Sequence, residues 1–364
     1  MYPPPSGAEL TEAEARRLDD QFFASDPTAY FRARIYGLLS LYQARDNLPG
    51  PREGLAGVLG NVASSLVPPT PDEIELQVTT DAVQLRHHVA EATLRLLLSR
   101  FTHRTKEHRS LWLELVESPR QMEQVVNQLD SHLLDQDVAP VLAGLLFAVH
   151  PEATLSGEHR RAMEHALEWI TRAMLIVSPG HLDLAGASNK IRHGITTTSS
   201  NDTRVTFTTS SIIDPAQIPL EALTGETATD LINSPILQYI SRPPGKGGVR
   251  HGFERTLLNV DIETALSEAW LIALVHGALF YGAAFRHHRY DPAKVAIPQP
   301  PWVIGPSPKQ LLRGRYLGLR FPLTTATDGS VHRKSGVATW DGGFIDMAFG
   351  PKTQGVVGPP QEDE

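Results

Sequence analysis

One segment of the chain, residues 79–101, is apolar on two sides when it is wound as a helix, and this property restricts the fold more than any other. Its sequence is TTDAVQLRHHVAEATLRLLLSRF. At about 3.6 residues per turn, Val83 and Leu94 lie on one apolar stripe, and Leu85 and Leu96 lie on a second. A helix with two apolar faces has to be packed between neighbours, so this helix is predicted at the centre of a helical bundle.

The polar residues of this helix are confined to narrow strips between the apolar stripes. One strip consists of Arg86, Thr93 and Arg100, and the other consists of His88, Glu91, Arg95 and Ser99. Both strips cannot face bulk water, so at least one is expected to border other helices or to line a cleft. A carboxylate and a guanidinium buried there have to pair with each other, because an unpaired buried charge is costly.

Helical patterns continue on both sides of this segment. The first two helices are predicted to be separated at Asp26-Pro27, which resemble a cap and a first-turn proline. A short helix over Leu55–Leu66 is predicted to end at the prolines of VPPTPDE, and a later helix over Glu158–Val177 has Ser156 as its cap. The sequence TTTSSNDTRVTFTTSSIID that follows the bundle is rich in threonine and alternates as a strand does.

The longest apolar run, Ala269–Phe285, lies inside a helix predicted over Thr256–Tyr290. The run falls short of a comfortable bilayer span and contains His276, so it predicts a core helix and no membrane partner. Residues Thr227–Ile240 are predicted to be helical, and Asp328-Gly329 is the predicted turn between two late strands.

These patterns predict a mainly α protein, a helical bundle with small β elements in the C-terminal third. The predicted divisions are a disordered tail at 1–8, the helical bundle at 9–195, a mixed strand and loop insertion at 196–255, a long helix at 256–290 that packs on the bundle, a small β-rich segment at 291–350 and a disordered acidic tail at 351–364.

Composition limits the classes of function. The net charge of −8 argues against a protein that coats nucleic acid with a broad basic face, although a small basic groove is still allowed. The absence of cysteine excludes disulfides, thiolate zinc sites and a cysteine nucleophile. Together with the lack of a signal-peptide pattern in MYPPPSGAEL, it predicts a cytoplasmic protein.

The sequence NKIRHG closes the last predicted helix of the bundle and concentrates polar groups there. Asn189 and His193 are four residues apart and share a helix face, and Gly194 can adopt the left-handed conformation that ends a helix. One interpretation is structural, because the positive charges of Lys190, Arg192 and His193 complement the negative end of the helix dipole.

The second interpretation is a catalytic site in which this helix end meets the His88 strip across a bundle cleft. A histidine there can move a proton from a ribose 2′-hydroxyl while an arginine holds the phosphate, which is ribonuclease chemistry without a metal ion. The candidate catalytic residues are His193, Arg192, His88, Glu91 and Arg95.

Residues 80–195 have the pattern of successive helices and include the segments QLRHHVAEATLRLLL and NKIRHG. In these features the chain resembles the HEPN superfamily of helical nucleotide-binding domains. That superfamily includes branches with an Asn-x-x-Lys/Arg-His-Gly helix end. The resemblance implies metal-independent RNA cleavage or a non-catalytic nucleotide-binding relative, commonly as a homodimer. The candidate ligand-binding residues are Asn189, Lys190 and Arg250.

Other site motifs are not supported by their spacing. The loop RPPGKGGVRHG lacks the hydroxyl that a phosphate loop needs after its lysine, because Gly247 stands there, but Arg250 can add positive potential beside a ligand groove. The pairs His87-His88 and His287-His288 are helix neighbours that point about 100 degrees apart, so neither pair is expected to chelate one ion. No metal site and no cofactor are therefore predicted.

Two classes of function stay open from the sequence. The first is a HEPN-like domain that cleaves RNA or binds a nucleotide, and the second is a non-enzymatic helical scaffold that binds a protein partner. The first requires that the His88 strip and the NKIRHG helix end converge on an open cleft. The second is favoured if these polar groups close into an internal network in which all of them are hydrogen-bonded.

Overall fold

The structure is a computed structural model, and the residues that it describes are 10–47, 67–103, 109–134, 138–147, 156–178, 182, 184–193, 197–201, 204–208, 228–232, 235–242, 252–299, 305–313, 315–324, 335–340 and 343–348. The chain divides into two compact units. Unit 1 comprises Met1–Ser188 and Ile262–Leu312, and unit 2 comprises Asn189–Asp261 and Arg313–Glu364.

The described residues are mainly helical, and the strands among them all lie after residue 196, so the predicted fold class is confirmed. The helices are α1 (Glu12–Phe23), α2 (Pro27–Gln43), α3 (Pro71–His103), α4 (Leu111–Glu117), α5 (Met122–Leu133), α6 (Val138–Leu146), α7 (Gly157–Val177), α8 (Leu184–Arg192), α9 (Ile262–His287) and α10 (Pro308–Leu311). The strands are β1 (Thr197–Ser200), β2 (Val205–Thr208), β3 (Ala228–Ile232), β4 (Ile236–Ser241), β5 (Glu254–Asn259), β6 (Tyr316–Pro322), β7 (Ser335–Trp340) and β8 (Gly343–Ala348).

The predicted break between the first two helices is confirmed by its cap. The Asp26 side chain accepts a hydrogen bond of 3.0 Å from the backbone N–H of Ala29, and Pro27 occupies the first turn of α2. Ser156 caps α7 in the same way by accepting from the N–H of His159. In this chain, a short polar side chain just before a segment whose apolar residues have helical spacing therefore marks the start of a helix.

Helix α3 is the centre of unit 1, and it packs against α2, α4, α5, α7 and α9. Both predicted apolar stripes are buried, since Val83, Leu85, Leu94 and Leu96 are each at most 1% exposed. The helix begins earlier than the sequence pattern indicates, because the Glu73 carboxylate accepts from the N–H of Thr70 at 2.7 Å and completes a capping box. The prolines of VPPTPDE therefore lead into this helix, while the predicted helix over 55–66 lies outside the described residues.

Helix α9 packs along α3 and forms the second half of the core. It is long and apolar enough to cross a membrane, since its most apolar window of 18 residues has a mean hydropathy of 1.4. However, 83% of that window is buried inside the protein. The predicted start at Thr256 is wrong, because residues 254–259 form strand β5. Apolar residues occur on both sides of Asp261, where the strand gives way to the helix, so the pattern alone does not show the change of period.

A buried ion cluster joins α3, α7 and α9. Glu268, with 1% of its side chain exposed, accepts from Arg86 Nη1 and from Arg172 Nε, each at 2.7 Å. Burial raises the pKa of Glu268, but the two guanidinium groups outweigh it and keep that pKa below its ordinary value. The Arg86 strip of α3 therefore borders another helix, as predicted, and its charge is paired.

Unit 2 contains a six-stranded antiparallel sheet in the order β1-β4-β5-β6-β7-β8 and a two-stranded sheet of β2 and β3. Ile232 of β3 packs with Ile236, Leu257 and Leu319 of the larger sheet. The predicted helix over 227–240 is wrong, because the described residues there form β3 and β4 on either side of Pro235. The two predicted β segments, 196–255 and 291–350, share this one sheet.

Candidate functional site

His88, one of the predicted catalytic residues, lies among aromatic rings of unit 1. Its imidazole meets the ring of Phe31 edge-on at 5.7 Å between centroids and that of Tyr30 at 6.0 Å. Phe31 also contacts the buried imidazole of His276 at 5.5 Å. His88 is thus part of the packing between α2, α3 and α9.

Glu91 and Arg95, also predicted as catalytic, form an ion pair of 3.0 Å on α3. Arg95 also donates to the hydroxyl of Ser118 and to the carbonyls of Pro119 and Arg120. Together with two hydrogen bonds to Glu91, these contacts use all five N–H donors of the Arg95 guanidinium group. The geometry gives Arg95 a structural role, which is to hold the turn between α4 and α5 against α3.

The predicted residues of NKIRHG lie at the end of α8. Asn189, Arg192 and His193 are exposed, and Lys190 is half-buried. The N–H of His193 donates to the carbonyl of Asn189 at 3.0 Å, so the helical turn reaches His193. From Asn189 onward these residues belong to unit 2, whereas the His88 strip belongs to unit 1, and their convergence stays a prediction. Gly194 and Arg250 lie outside the described residues.

A different group of polar residues converges at one end of unit 1, around a cavity of about 110 Å³. We call it the end cavity. Helices α1, α3, α4 and α9 supply its lining, which consists of Asp19, Phe23, Arg100, His103, Leu111, Ala283, Arg286 and His287.

Asp19 is fully engaged by the start of α4. It is 6% exposed and accepts from the Ser110 hydroxyl at 2.6 Å, from the Leu111 N–H at 3.2 Å and from the Trp112 N–H at 3.3 Å. Its negative charge therefore satisfies the positive end of the α4 dipole. This role leaves the carboxylate little capacity to bind anything else.

Two arginines reach the end cavity while they contact the end of α6. Arg100, which is 3% exposed, donates through Nη1 to the carbonyls of Leu145 and Leu279. Arg286 donates through Nη2 to the carbonyl of Gly144 at 3.2 Å, and this is its only side-chain hydrogen bond within the described part of the chain. Arg286 therefore has donors left for a ligand, because a guanidinium carries five.

His103 is the half-buried imidazole of the end cavity. Its Nδ1 is buried and has no hydrogen-bond partner among the described residues. Burial lowers the pKa of His103, with help from Arg100 and Arg286 and against Asp19 and Glu114. The imidazole is therefore neutral at pH 7, with one buried nitrogen that the described side chains leave unsatisfied.

His287, which lines the end cavity, lies beside two further side chains, and we call the three together the rim cluster: Asp20, His287 and His288. Their potential metal-binding atoms all lie within 4.8 Å of one another. Asp20 Oδ1 and His287 Nε2 are 2.7 Å apart, and this hydrogen bond lowers the pKa of Asp20. The two imidazole centroids are 4.9 Å apart.

That the adjacent histidines do not share an ion stays a prediction, although the potential ligand atoms of His287 and His288 lie within 4.8 Å of each other. Helix α9 ends at His287, the N–H of His288 still donates to the Ala284 carbonyl at 2.9 Å, and Arg289 and Tyr290 then turn the chain with positive φ angles of 56° and 64°. Sequence reasoning also missed Asp20 and His103. The adjacent Asp19-Asp20 and the basic run Arg286–Arg289 were the visible signals, but no spacing connects them along the chain.

The comparisons with known proteins give no relative: no family model and no curated protein matches the sequence, and no solved structure matches the fold. A function for this chain therefore has to rest on the chemistry of its own residues.

Proposed function

We propose that unit 1 binds a small oxyanion, a phosphate or carboxylate group, in the end cavity. The observation that carries this proposal is the buried Nδ1 of His103, which has no partner among the described residues. An unsatisfied buried polar group costs about 1–3 kcal/mol, and a ligand that accepts from this nitrogen recovers that free energy.

The charges around the end cavity favour an anion. Its lining carries the guanidinium groups of Arg100 and Arg286 and a single carboxylate, that of Asp19. This carboxylate already accepts three hydrogen bonds from the start of α4. Guanidinium groups bind phosphate and carboxylate through short, charge-assisted hydrogen bonds. Arg286 is the residue expected to make them, because Arg100 is held by two backbone carbonyls.

The size of the end cavity limits the ligand. Its volume of about 110 Å³ lies below the range of about 300–1,000 Å³ that is typical of pockets for drug-sized ligands. We therefore expect the cavity to hold the anionic group of a ligand, with the remainder outside.

Isothermal titration of the full chain with inorganic phosphate, acetate and AMP tests this proposal. We expect saturable binding of at least one of these probes. Arg286→Gln should weaken that binding on the order of 10- to 100-fold, since a charge-assisted hydrogen bond contributes about 1.5–3 kcal/mol. The control Arg161→Gln removes an exposed arginine of α7 and should leave the affinity unchanged. Equal affinities in all three proteins, or no binding of any probe, would reject the oxyanion site.

RNA cleavage at the end of α8 is our second proposal, and the exposure of Asn189, Arg192 and His193 at one helix end supports it. These groups combine an amide, a guanidinium and an imidazole that an RNA can reach. The HEPN resemblance implies the same chemistry. A nucleotide or protein partner, a homodimer and a cytoplasmic location stay predictions from the sequence.

Incubation of RNA with the purified chain, with and without a chelator, tests the second proposal. His193→Ala should abolish a chelator-resistant cleavage. Arg95→Ala also removes five hydrogen bonds, so its activity is interpretable only when circular dichroism shows a folded chain. Equal cleavage, or none, in wild type and both variants would remove the ribonuclease proposal and favour the scaffold.

A further inference from the structure

We infer that the rim cluster, Asp20, His287 and His288, is a binding site for one divalent transition-metal ion. One carboxylate and two imidazoles are the ligand set that Zn²⁺, Co²⁺ and Ni²⁺ accept in protein sites with an open position. Mg²⁺ and Ca²⁺ prefer oxygen ligands, so the two imidazoles select against them.

The distances in the rim cluster suit a single ion. Ligands about 2.1 Å from a tetrahedral ion lie about 3.4 Å from one another. The observed separations run from 2.7 Å between Asp20 Oδ1 and His287 Nε2 to at most 4.8 Å across the cluster. Asp20 has 54% of its side chain exposed, so it can rotate to close the remaining difference without disturbing the core.

The surrounding structure holds both imidazoles in place. The ring of Phe23 contacts His287 at 5.1 Å and His288 at 6.5 Å between centroids. Directly after them, Arg289 and Tyr290 adopt left-handed backbone conformations, which are uncommon for residues other than glycine. Such conformations cost on the order of 1 kcal/mol each and concentrate at functional sites. Here the two residues follow directly after His288 and end the helical segment that carries the histidine pair.

The charges near the rim cluster predict the kind of ligand that completes the coordination. Arg16 and Lys294 both act electrostatically on His288, and Arg286 precedes the pair on α9. These cations favour an anion at the open position of the metal ion. Because His287 also lines the end cavity, a metal ion at the rim cluster and an oxyanion in the cavity can be neighbours.

The simpler interpretation is that Asp20 and His287 form only a surface ion pair. His288 separates the two interpretations, because it makes no contribution to the 2.7 Å contact between Asp20 and His287. An ion pair survives His288→Ala, whereas a three-ligand metal site does not.

Titration of the metal-free full chain with Co²⁺ alone, followed by its visible absorption, tests the inference. We expect one equivalent to bind to the wild type with a spectrum of tetrahedral or five-coordinate Co²⁺. His288→Ala and Asp20→Asn should each weaken binding at least about 10-fold, which is the smallest loss seen when a metal site loses even a supporting group. Metal-free thermal unfolding shows whether each variant is folded.

Matched controls identify adventitious binding. His132→Ala removes an exposed histidine of α5, and Glu123→Gln removes an exposed carboxylate of the same helix, so both should bind Co²⁺ as the wild type does. The inference is overturned if the wild type binds no Co²⁺ or if His288→Ala keeps the wild-type affinity. The titration contains no phosphate or carboxylate buffer, so its result is independent of whether the end cavity binds an oxyanion.

Discussion

Acidification should destabilise this protein in part by protonating His276, a buried histidine of α9. His276 is 7% exposed, and its Nδ1 has no hydrogen-bond partner among the described residues. Burial, and secondarily the neighbouring His88, lowers the pKa of His276 from 6.5 to about 4. The folded chain therefore holds this imidazole in its neutral form at pH 7.

The sign and the size of the effect follow from this difference in pKa. The unfolded chain binds the proton with the ordinary pKa, so it gains protons before the folded chain does as the pH falls. The free energy of unfolding then decreases between about pH 6.5 and pH 4, at about 1.4 kcal/mol for each unit of pKa difference. For His276 the loss reaches about 3 kcal/mol near pH 4.

Urea unfolding of wild type and His276→Phe at pH 7 and pH 4.5 measures this loss. Phenylalanine keeps a ring against Phe31 but cannot bind a proton, so its packing cost is the same at both pH values. Relative to the wild type, the variant should gain about 2 kcal/mol on acidification. His193→Ala, at an exposed position, should show no such gain. A constant difference between wild type and His276→Phe would refute the buried, neutral imidazole.

Four substitutions test the packing of unit 1 by urea unfolding at pH 7. Glu268→Gln leaves two buried guanidinium groups without a carboxylate, so we expect a loss of about 3–5 kcal/mol, and a loss below about 1 kcal/mol would mean that water reaches the cluster. Gly282→Ala places a Cβ in steric conflict with the Leu145 carbonyl oxygen and should cost about 1–3 kcal/mol. Gly37→Ala, with no heavy atom within 4 Å, should instead stabilise α2 by about 0.5–1 kcal/mol. Asp19→Ala removes the carboxylate that accepts from Ser110, Leu111 and Trp112 at the start of α4 and should cost about 0.5–2 kcal/mol, and no loss would contradict this role.

Local patterns predicted those parts of the fold that local physics determines. The double apolar stripe of α3 requires neighbours on both sides, and the structure provides them with α2, α4, α5, α7 and α9. Asp26 and Ser156 were recognisable as caps because the cap bonds only to the next turn. Strand β5 was missed because its pairing partners, β4 and β6, lie elsewhere in the chain and override the local apolar pattern.

The end cavity could not be predicted from spacing. Asp19, His103 and Arg286 are far apart in the sequence and meet only because α1, α3 and α9 pack together. The rim cluster was hidden for the same reason, since Asp20 of α1 and the pair His287-His288 at the end of α9 meet only in the folded chain. Glu91 and Arg95 were predicted to pair and do so. The backbone carbonyls of residues 119 and 120, to which Arg95 also donates, could not be predicted from the spacing of polar residues on α3.

A crystal structure of the full chain grown with selenate tests the central proposal most directly, because selenate resembles phosphate in shape and its anomalous scattering locates it. The proposal predicts an anomalous peak in the end cavity, within hydrogen-bond distance of His103 Nδ1 and of the Arg286 guanidinium. Anomalous peaks at surface cations alone, with none between these two side chains, would contradict it.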